Sequence, residues 1–400
     1  MVSSTERMRA WTGPAILSFG FRPFFLLAAI WAALAMALWI FMLAGYAPLP
    51  TAFDPFAWHA HEFVFGYLSA VIAGFLLTAV PNWTGRLPIV GWPLAGLVAL
   101  WVLGRVVVAV SAGLPWLLVM LADGVMVLVL GLALAREVVA GSNWRNLPVL
   151  GLLAVFLAAN GLFHAEAASG AAASDDYGLR LGLAAVQMLI ALIGGRIIPS
   201  FTRNWLAARK SPWLPAPFGR ADRAILGLTG ATLLCFVLWP DAAALPCLVA
   251  GGAHLWRLSR WQGHRTGAEP LLWVLHVAYA MLALGFLAVG AAGLGLLPQA
   301  GARHVWLAGA IGLMTLAVMS RASLGHAGRP LRAGPGLSAA YLLLLAGVCL
   351  RFAAGLAPGQ TWLLHLSAAL WIMGFAGFAL MFWPILTRPR DGAKRVSRAR

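Results

Sequence analysis

Residues Trp58–Val80 read WHAHEFVFGYLSAVIAGFLLTAV. After Glu62 the next eighteen residues carry no charge, which as a helix is enough to cross a hydrocarbon layer roughly 30 Å thick. Similar runs recur along the whole chain of 400 residues, of which 62% are hydrophobic and 10% charged. Soluble domains carry about 25% charged residues. The expected fold is all-α, a polytopic membrane protein of twelve transmembrane helices. The spans fall at about 23–45, 59–80, 91–112, 115–136, 147–165, 179–199, 223–239, 242–259, 270–293, 304–322, 336–356 and 361–386. They form a single integral membrane domain over residues 1–400, with no polar stretch long enough for a soluble one. Short breaks at Gly113–Pro115 and Trp239–Asp241 imply antiparallel neighbours. The opening MVSSTERMRAWTGP has no apolar h-region, so no cleavable signal peptide is expected.

The formal net charge is +16. With the N-terminus in the cytoplasm, 24 of the 28 Lys and Arg residues fall on the inner side. Only Arg105, Arg180, Arg303 and Arg351 fall in the outer half. This is the positive-inside pattern, and it makes both termini cytoplasmic. It also explains the net charge without nucleic acid. Cys235, Cys247 and Cys349 are dispersed within apolar runs and read as buried free thiols. The absence of CxxCH excludes covalent haem attachment. A faint echo links Pro81-Asn-Trp-Thr84 at the end of span 2 to Pro199-Ser-Phe-Thr202 at the end of span 6, four helices on; Pro384-Ile-Leu-Thr387 is a looser match.

Topology sorts the nine histidines by depth. His59, His61, His164, His304 and His365 fall toward the outer side; His254, His276 and His326 fall toward the inner side; His264 lies in a basic loop. Ionisable groups within spans are costly and usually face a partner or the bundle interior. Imidazole is also the commonest ligand for haem iron, copper and zinc. Neither HExxH nor its spacing is present. On a helix, His59 and His61 point about 200° apart, so they serve two sites unless the first turn unwinds. Glu62, three residues beyond His59, shares its face and can orient that ring. His304 and His326 are 22 positions apart and return to nearly the same face of a straight helix. Gly66 and Gly74 on span 2, and Ala308, Gly312 and Thr315 on span 10, leave room on those faces. Ordinary helix packing uses such gaps more often than a macrocycle does.

Each histidine also has a plainer reading as a hydrogen-bonded core residue. It holds for His365 and His254, which lack supporting neighbours. Asn160, one turn before His164, makes a structural pair as good a reading as a ligand there. His276 has Tyr279 on its face. Arg105, Asp123 and Gln187 form a relay, bind propionates, or make a structural polar network.

The stretches GFRPFFLLAAIWAALA, WHAHE with AVIAGFLLTAVPNWTGR, DGVMV, NWRNL, LLWVLHVAYA and HVWLAGAIGLMTLAVMSRASLGHAGRP are together similar to the NnrS family. The resemblance runs from about residue 18 to 387. It implies a bacterial inner-membrane protein that carries haem and copper and is linked to denitrification and defence against nitric oxide. The histidine-bearing motifs of the family land on His59, His61, His276, His304 and His326, and less firmly on His164. The resemblance does not say which of them holds iron and which copper. By fold-level analogy only, haem–copper oxidases have twelve spans and grip a low-spin haem between spans 2 and 10. Span 6 here carries Gln187 where they have a histidine, and their paired histidines after span 7 are missing.

The resulting expectation is a b-type haem and copper protein. Its outer site draws on His59, His61 and His304, and its inner site on His276 and His326. Arg105 is the expected propionate partner, and Glu62 the group that orients a ligand or transfers a proton. Nitric oxide is the expected ligand or substrate, with a quinol or periplasmic protein as electron donor if NO is reduced. Two rival classes stand beside this: a haem or NO-binding protector or sensor without turnover, and a transporter of haem, metal or a small solute. Against transport, no helix shows an obvious central break beside a charged midplane site.

Overall fold

The computed structural model describes residues 11–46, 49–85 and 89–389. It is 81% helical, with no strand among the described residues. The basic residues Arg7, Arg9, Arg86, Arg390, Lys394, Arg395, Arg398 and Arg400 of the charge tally lie outside them. We number the long helices in chain order: α1 Phe21–Leu43, α2 Pro55–Pro81, α3 Trp92–Ala109, α4 Trp116–Ala140, α5 Trp144–Ala168, α6 Tyr177–Ala208, α7 Arg220–Leu238, α8 Ala244–Ser259, α9 Pro270–Gly293, α10 Gln299–His326, α11 Pro335–Leu356 and α12 Thr361–Thr387.

Each expected span falls on one of these helices. Eleven of them are long and apolar enough to cross a membrane. The twelfth, α8, has 16 residues. At 1.5 Å per residue it is about 24 Å long, short of the hydrocarbon thickness. α3 ends at Ala109 and the turn after it holds Gly113 (φ 82°), while the break after α7 is the 3-10 turn Pro240–Ala242. Helices run past the expected exits at Pro81 and Pro199, whereas Pro384 lies within its expected span. Pro81, Pro199 and Pro384 all lie inside helices. The helix through Pro81 runs on to Thr84, and α6 runs nine residues beyond Pro199 to Ala208. A proline removes one backbone donor but does not by itself stop a helix near its end.

The four-helix echo has a physical counterpart. α2, α6 and α10 each contain a π-helical segment, at Glu62–Tyr67, Ile190–Gly194 and Val305–Gly312. The spans bearing them are the most enclosed, 72%, 72% and 67% buried, against 28–39% for all other spans but α9. A π turn inserts a residue and rotates the remainder of the helix by roughly a quarter turn. His304 and His326 therefore do not return to one face as they would on a straight helix.

The long helices group into two compact units. The first runs to Gly182 and takes in Met319–Pro330 and the chain from Phe378 on. In it α1 packs on α2, α3 on α4, and α4 on α5. The Arg22 guanidinium donates to the carbonyls of Ala15, Leu386 and Arg388, satisfying the end of α12. Glu166 caps the start of α6, accepting the Gly178 N–H at 3.0 Å. The second unit holds Leu183–Val318 and Leu331–Gly377. There α8 lies along α9, and Gly285 of α9 makes room for Trp306, whose indole N–H donates to the Leu282 carbonyl at 3.1 Å. Close backbone approach at small residues replaces the hydrophobic effect as the means of packing helices in lipid.

Candidate metal centre

The cluster begins at the start of α2. The Asp54 carboxylate accepts the N–H groups of Phe56 (2.8 Å) and Ala57 (3.1 Å), and Pro55 occupies the first helical position. This cap starts the helix so that Trp58 and His61 face inward. His59 and His61 diverge, as their spacing demands. The half-buried His59 ring stacks on Trp39 at 4.0 Å and lies against Phe63, whereas His61 is wholly buried.

Glu62, also wholly buried, opens the π segment. It orients His61 rather than His59, with Oε1 3.1 Å from His61 Nδ1. Its other oxygen accepts the Trp31 indole N–H at 2.7 Å. Arg105 of α3 donates through Nη1 to both Glu62 oxygens at 2.6 Å and through Nη2 to Asp123 Oδ1. The guanidinium expected to meet a propionate thus meets two protein carboxylates. Two glycines make this geometry possible. A Cβ on Gly66 would lie 2.3 Å from Arg105 Nη1, and one on Gly104 would lie 3.1 Å from the Asp123 Cα.

Asp123 of α4 is the hub. With Oδ1 taken by Arg105, its Oδ2 accepts from Asn160 Nδ2 at 2.6 Å and lies 3.1 Å from His61 Nε2 and 3.2 Å from His164 Nε2. Asn160 Oδ1 is also 3.1 Å from His61 Nε2. The donor atoms of His61, Asp123 and His164 all lie within 4.8 Å of one another. Among the described residues this is the one grouping of His, Cys, Asp and Glu with metal-ligand spacing.

The partners dictate the tautomers. An ionised carboxylate can only accept, so Glu62 calls for N–H at His61 Nδ1. Nε2 then carries a lone pair and points it at Asp123 Oδ2 and Asn160 Oδ1, which are themselves acceptors. Facing acceptors call for something between them, a proton, a donating water or a metal ion. A histidine that donates its far nitrogen to a carboxylate is the usual setting of a metal-bound imidazole. Two imidazoles, a carboxylate and an amide oxygen suit a first-row transition ion with N and O ligands, such as copper, iron or zinc. Phe53, Phe65 and Phe163 surround the His61 ring at 5.2, 5.6 and 5.4 Å. The ligand groups are at most 5% exposed, so an ion there is shielded from water.

The second unit holds a polar cluster of a different kind. Arg257 of α8, wholly buried, donates to Asp222 Oδ1 (2.9 Å), to the Ala191 carbonyl in the π segment of α6 (2.9 Å) and to the Tyr279 hydroxyl (2.8 Å). Tyr279 must then donate to His254 Nδ1 at 2.8 Å, and His254 Nε2–H to Thr229 Oγ1 at 2.9 Å. Thr229 passes its proton to the Ile225 carbonyl. The chain leaves α7 at Asp222 and returns to α7 at Ile225, so it is closed. His254 has no lone pair left for a metal and is a core histidine.

The remaining histidines singled out in the sequence are scattered. His276 Nε2 lies 2.9 Å from the Thr202 hydroxyl, while Tyr279 turns to His254 and Arg257. His304 Nδ1 bonds its own helix at the Ala300 carbonyl (2.7 Å), which sets the tautomer with the lone pair on Nε2. His326 packs against Phe19 and Phe21. His365 and His264 are exposed. His59, His61, His164 and His326 belong to the first unit, and His276 and His304 to the second. Of the predicted ligands, His61 and His164 are brought together, with Glu62 and Arg105 behind them. Asp123 and Asn160 complete the set. Asp123 has a legible signal, a lone carboxylate in the apolar part of a 25-residue helix.

The spaces expected on α2 and α10 are filled by packing. A Cβ at Gly74 would meet Phe25 at 2.7 Å, and one at Gly312 would meet Trp371 at 2.6 Å. At these two positions aromatic side chains occupy the space that the glycines leave.

A many-helix apolar chain with a buried histidine–carboxylate centre defines a multi-pass membrane protein with a candidate metal site. The family model described as NnrS protein matches residues 15–390, and the chain belongs to the NnrS family. Membership makes it a membrane protein tied to the response to nitric oxide. No curated protein matches the chain significantly.

Proposed function

We propose that the protein binds a transition-metal ion, copper by the family resemblance, at His61, Asp123 and His164, and that it handles nitric oxide in the inner membrane of a bacterium. The observation that carries this reading is the convergence of two imidazole Nε2 atoms on one carboxylate oxygen inside a buried, aromatic-walled site. Copper bound there supplies a one-electron redox centre able to bind NO. His61 Nε2, His164 Nε2 and Asp123 Oδ2 would hold the ion, with Asn160 Oδ1 within reach of His61 Nε2. Glu62 keeps His61 in the ligating tautomer, and Arg105 fixes both carboxylates. Phe53, Phe65 and Phe163 pack around the His61 ring and limit access of water.

Reduction of NO would join two molecules and take up two electrons and two protons, giving nitrous oxide and water. The electrons would come from a quinol or a periplasmic donor. A b-type haem is the second cofactor the resemblance implies.

Elemental analysis of purified protein tests the site. Wild type should hold copper, His61→Ala and His164→Ala should lose it, and His365→Ala should keep it. A dithionite difference spectrum shows or excludes haem. Anaerobic NO consumption beyond stoichiometric binding separates a reductase from a protector. Full copper retention in His61→Ala and His164→Ala together would overturn the assignment.

A further inference from the structure

The charges around the cluster do not cancel. Glu62 and Asp123 are carboxylates held against one guanidinium, that of Arg105. The two histidines that face Asp123 are neutral when they ligate. The protein therefore contributes a net charge of −1 to a site whose members are at most 5% exposed. A buried charge without a partner is strongly disfavoured, and interactions across such a site are weakly screened.

We infer that Arg105 sets the oxidation state of the bound metal: with Glu62 it tunes the site to a monovalent, cuprous ion, and the cupric state takes up a small anion such as hydroxide or nitrite with it. This rests on the metal reading of His61, Asp123 and His164. A monovalent ion brings the cluster to zero, whereas a divalent ion leaves +1 that only an added anion removes. Reduction is then the gain of one electron by the ion with release of that anion. The electron comes from the protein's donor, or from ascorbate in the experiment below. Arg105 is a positioning residue here. It touches no ligand position of the metal, and it acts through Asp123 Oδ1 and both Glu62 oxygens.

Substitutions at these two positions form a series of charges. Wild type contributes −1, Glu62→Gln contributes 0, Arg105→Gln contributes −2, and the double variant returns to −1. One unit charge across an imidazole shifts the cupric-to-cuprous ratio by on the order of tenfold or more at an effective dielectric of about 20. The experiment loads each purified variant with copper, counts cupric spins by electron paramagnetic resonance against total copper, and titrates the ratio with ascorbate and ferricyanide.

Glu62→Gln should be at least tenfold harder to oxidise than wild type, and Arg105→Gln at least tenfold easier. The double variant should return to within a few-fold of wild type. Glu62→Gln leaves Arg105 paired with Asp123, so it reports even if Arg105→Gln fails to fold. An unmoved ratio in Glu62→Gln with copper still bound overturns the inference while leaving the site intact. A shift in the same direction in both single variants overturns it too. Asp123→Asn isolates the site itself: if it binds copper as wild type does, the metal reading fails and takes this inference with it.

Discussion

Asp123→Asn changes charge with almost no change in shape, and each contact of the side chain responds to it differently. The side chain meets Arg105 through Oδ1, and Asn160, His61 and His164 through Oδ2. If the new amide keeps its oxygen toward Arg105, its NH2 faces the Asn160 NH2, which sat 2.6 Å from Oδ2. A flip of Asn160 relieves that clash only by turning Nδ2 toward His61 Nε2, where it takes the lone pair a metal needs. If the new amide turns the other way, its NH2 opposes the guanidinium. Arg105 keeps Glu62, so the full cost of about 3–5 kcal/mol for orphaning a buried ion does not apply. One charge-assisted hydrogen bond weakens, worth roughly 1.5–3 kcal/mol, so about 2–3 kcal/mol of stability should be lost in the metal-free protein. Copper affinity should fall by more than ~100-fold, since losing a ligand exceeds the 10–100-fold typical of losing a group that only orients one. Unfolding in detergent can be followed through the 19 tryptophans, and copper counted after dialysis. Asp222→Asn is the comparator, since it also weakens a buried arginine pair but lies in the closed cluster. The two variants should lose similar stability, and only Asp123→Asn should lose copper. Equal copper loss in both would show that the metal leaves because packing loosens, and the assignment of Asp123 as a ligand would fall.

Three further outcomes rest on the same contacts. Tyr279→Phe should cost about 1–3 kcal/mol by unpairing His254 Nδ1 and leaving Arg257 Nη1 only the Ala191 carbonyl, without changing bound copper; thermal unfolding and metal analysis check both halves. Gly66→Ala should release copper, because its Cβ would sit 2.3 Å from Arg105 Nη1 and 2.5 Å from Glu62 Oε2. Gly96→Ala on α3, with nothing within 4 Å, should be neutral or stabilise by about 0.5–1 kcal/mol. His254→Ala should keep wild-type copper despite its depth in the core, since neither ring nitrogen is open to a metal.

Much of the fold is legible because lipid leaves the chain few choices. Apolar runs must be helices, and Pro55, Asp54, Gly113 and Pro240 mark where they start or stop. Inserted residues are harder to read. Nothing in EFVFGY distinguishes a π turn from an α turn, yet it sets the phase of everything after His61. Straight-helix spacing puts Glu62 with His59, and the same spacing puts His304 and His326 on one face. The pairing of His61 with His164 is readable only in part. It depends on α2, α4 and α5 meeting, and the close approach of α3 and α4 at Gly104 places the hub residue Asp123. A lone aspartate in an apolar helix announces that a partner exists without saying which.

The two polar clusters show why burial alone does not mark a site. Each draws on a π-bearing helix, and each holds one buried arginine against a carboxylate. In the second, every hydrogen bond has a direction: from Arg257 to Tyr279, to His254, to Thr229 and into the Ile225 carbonyl. Donors and acceptors run in sequence, and the chain ends where it began, on α7. In the first, the sequence of bonds breaks at His61 Nε2. From there inward, Asp123 Oδ2 and Asn160 Oδ1 are acceptors with no donor between them and the ring, and His164 Nε2 stands at the same point. The directed chain leaves neither His254 nitrogen open to a metal, whereas the convergent acceptors around His61 Nε2 present a place for one. On that difference, rather than on depth or on the number of histidines, the first unit holds the candidate metal centre.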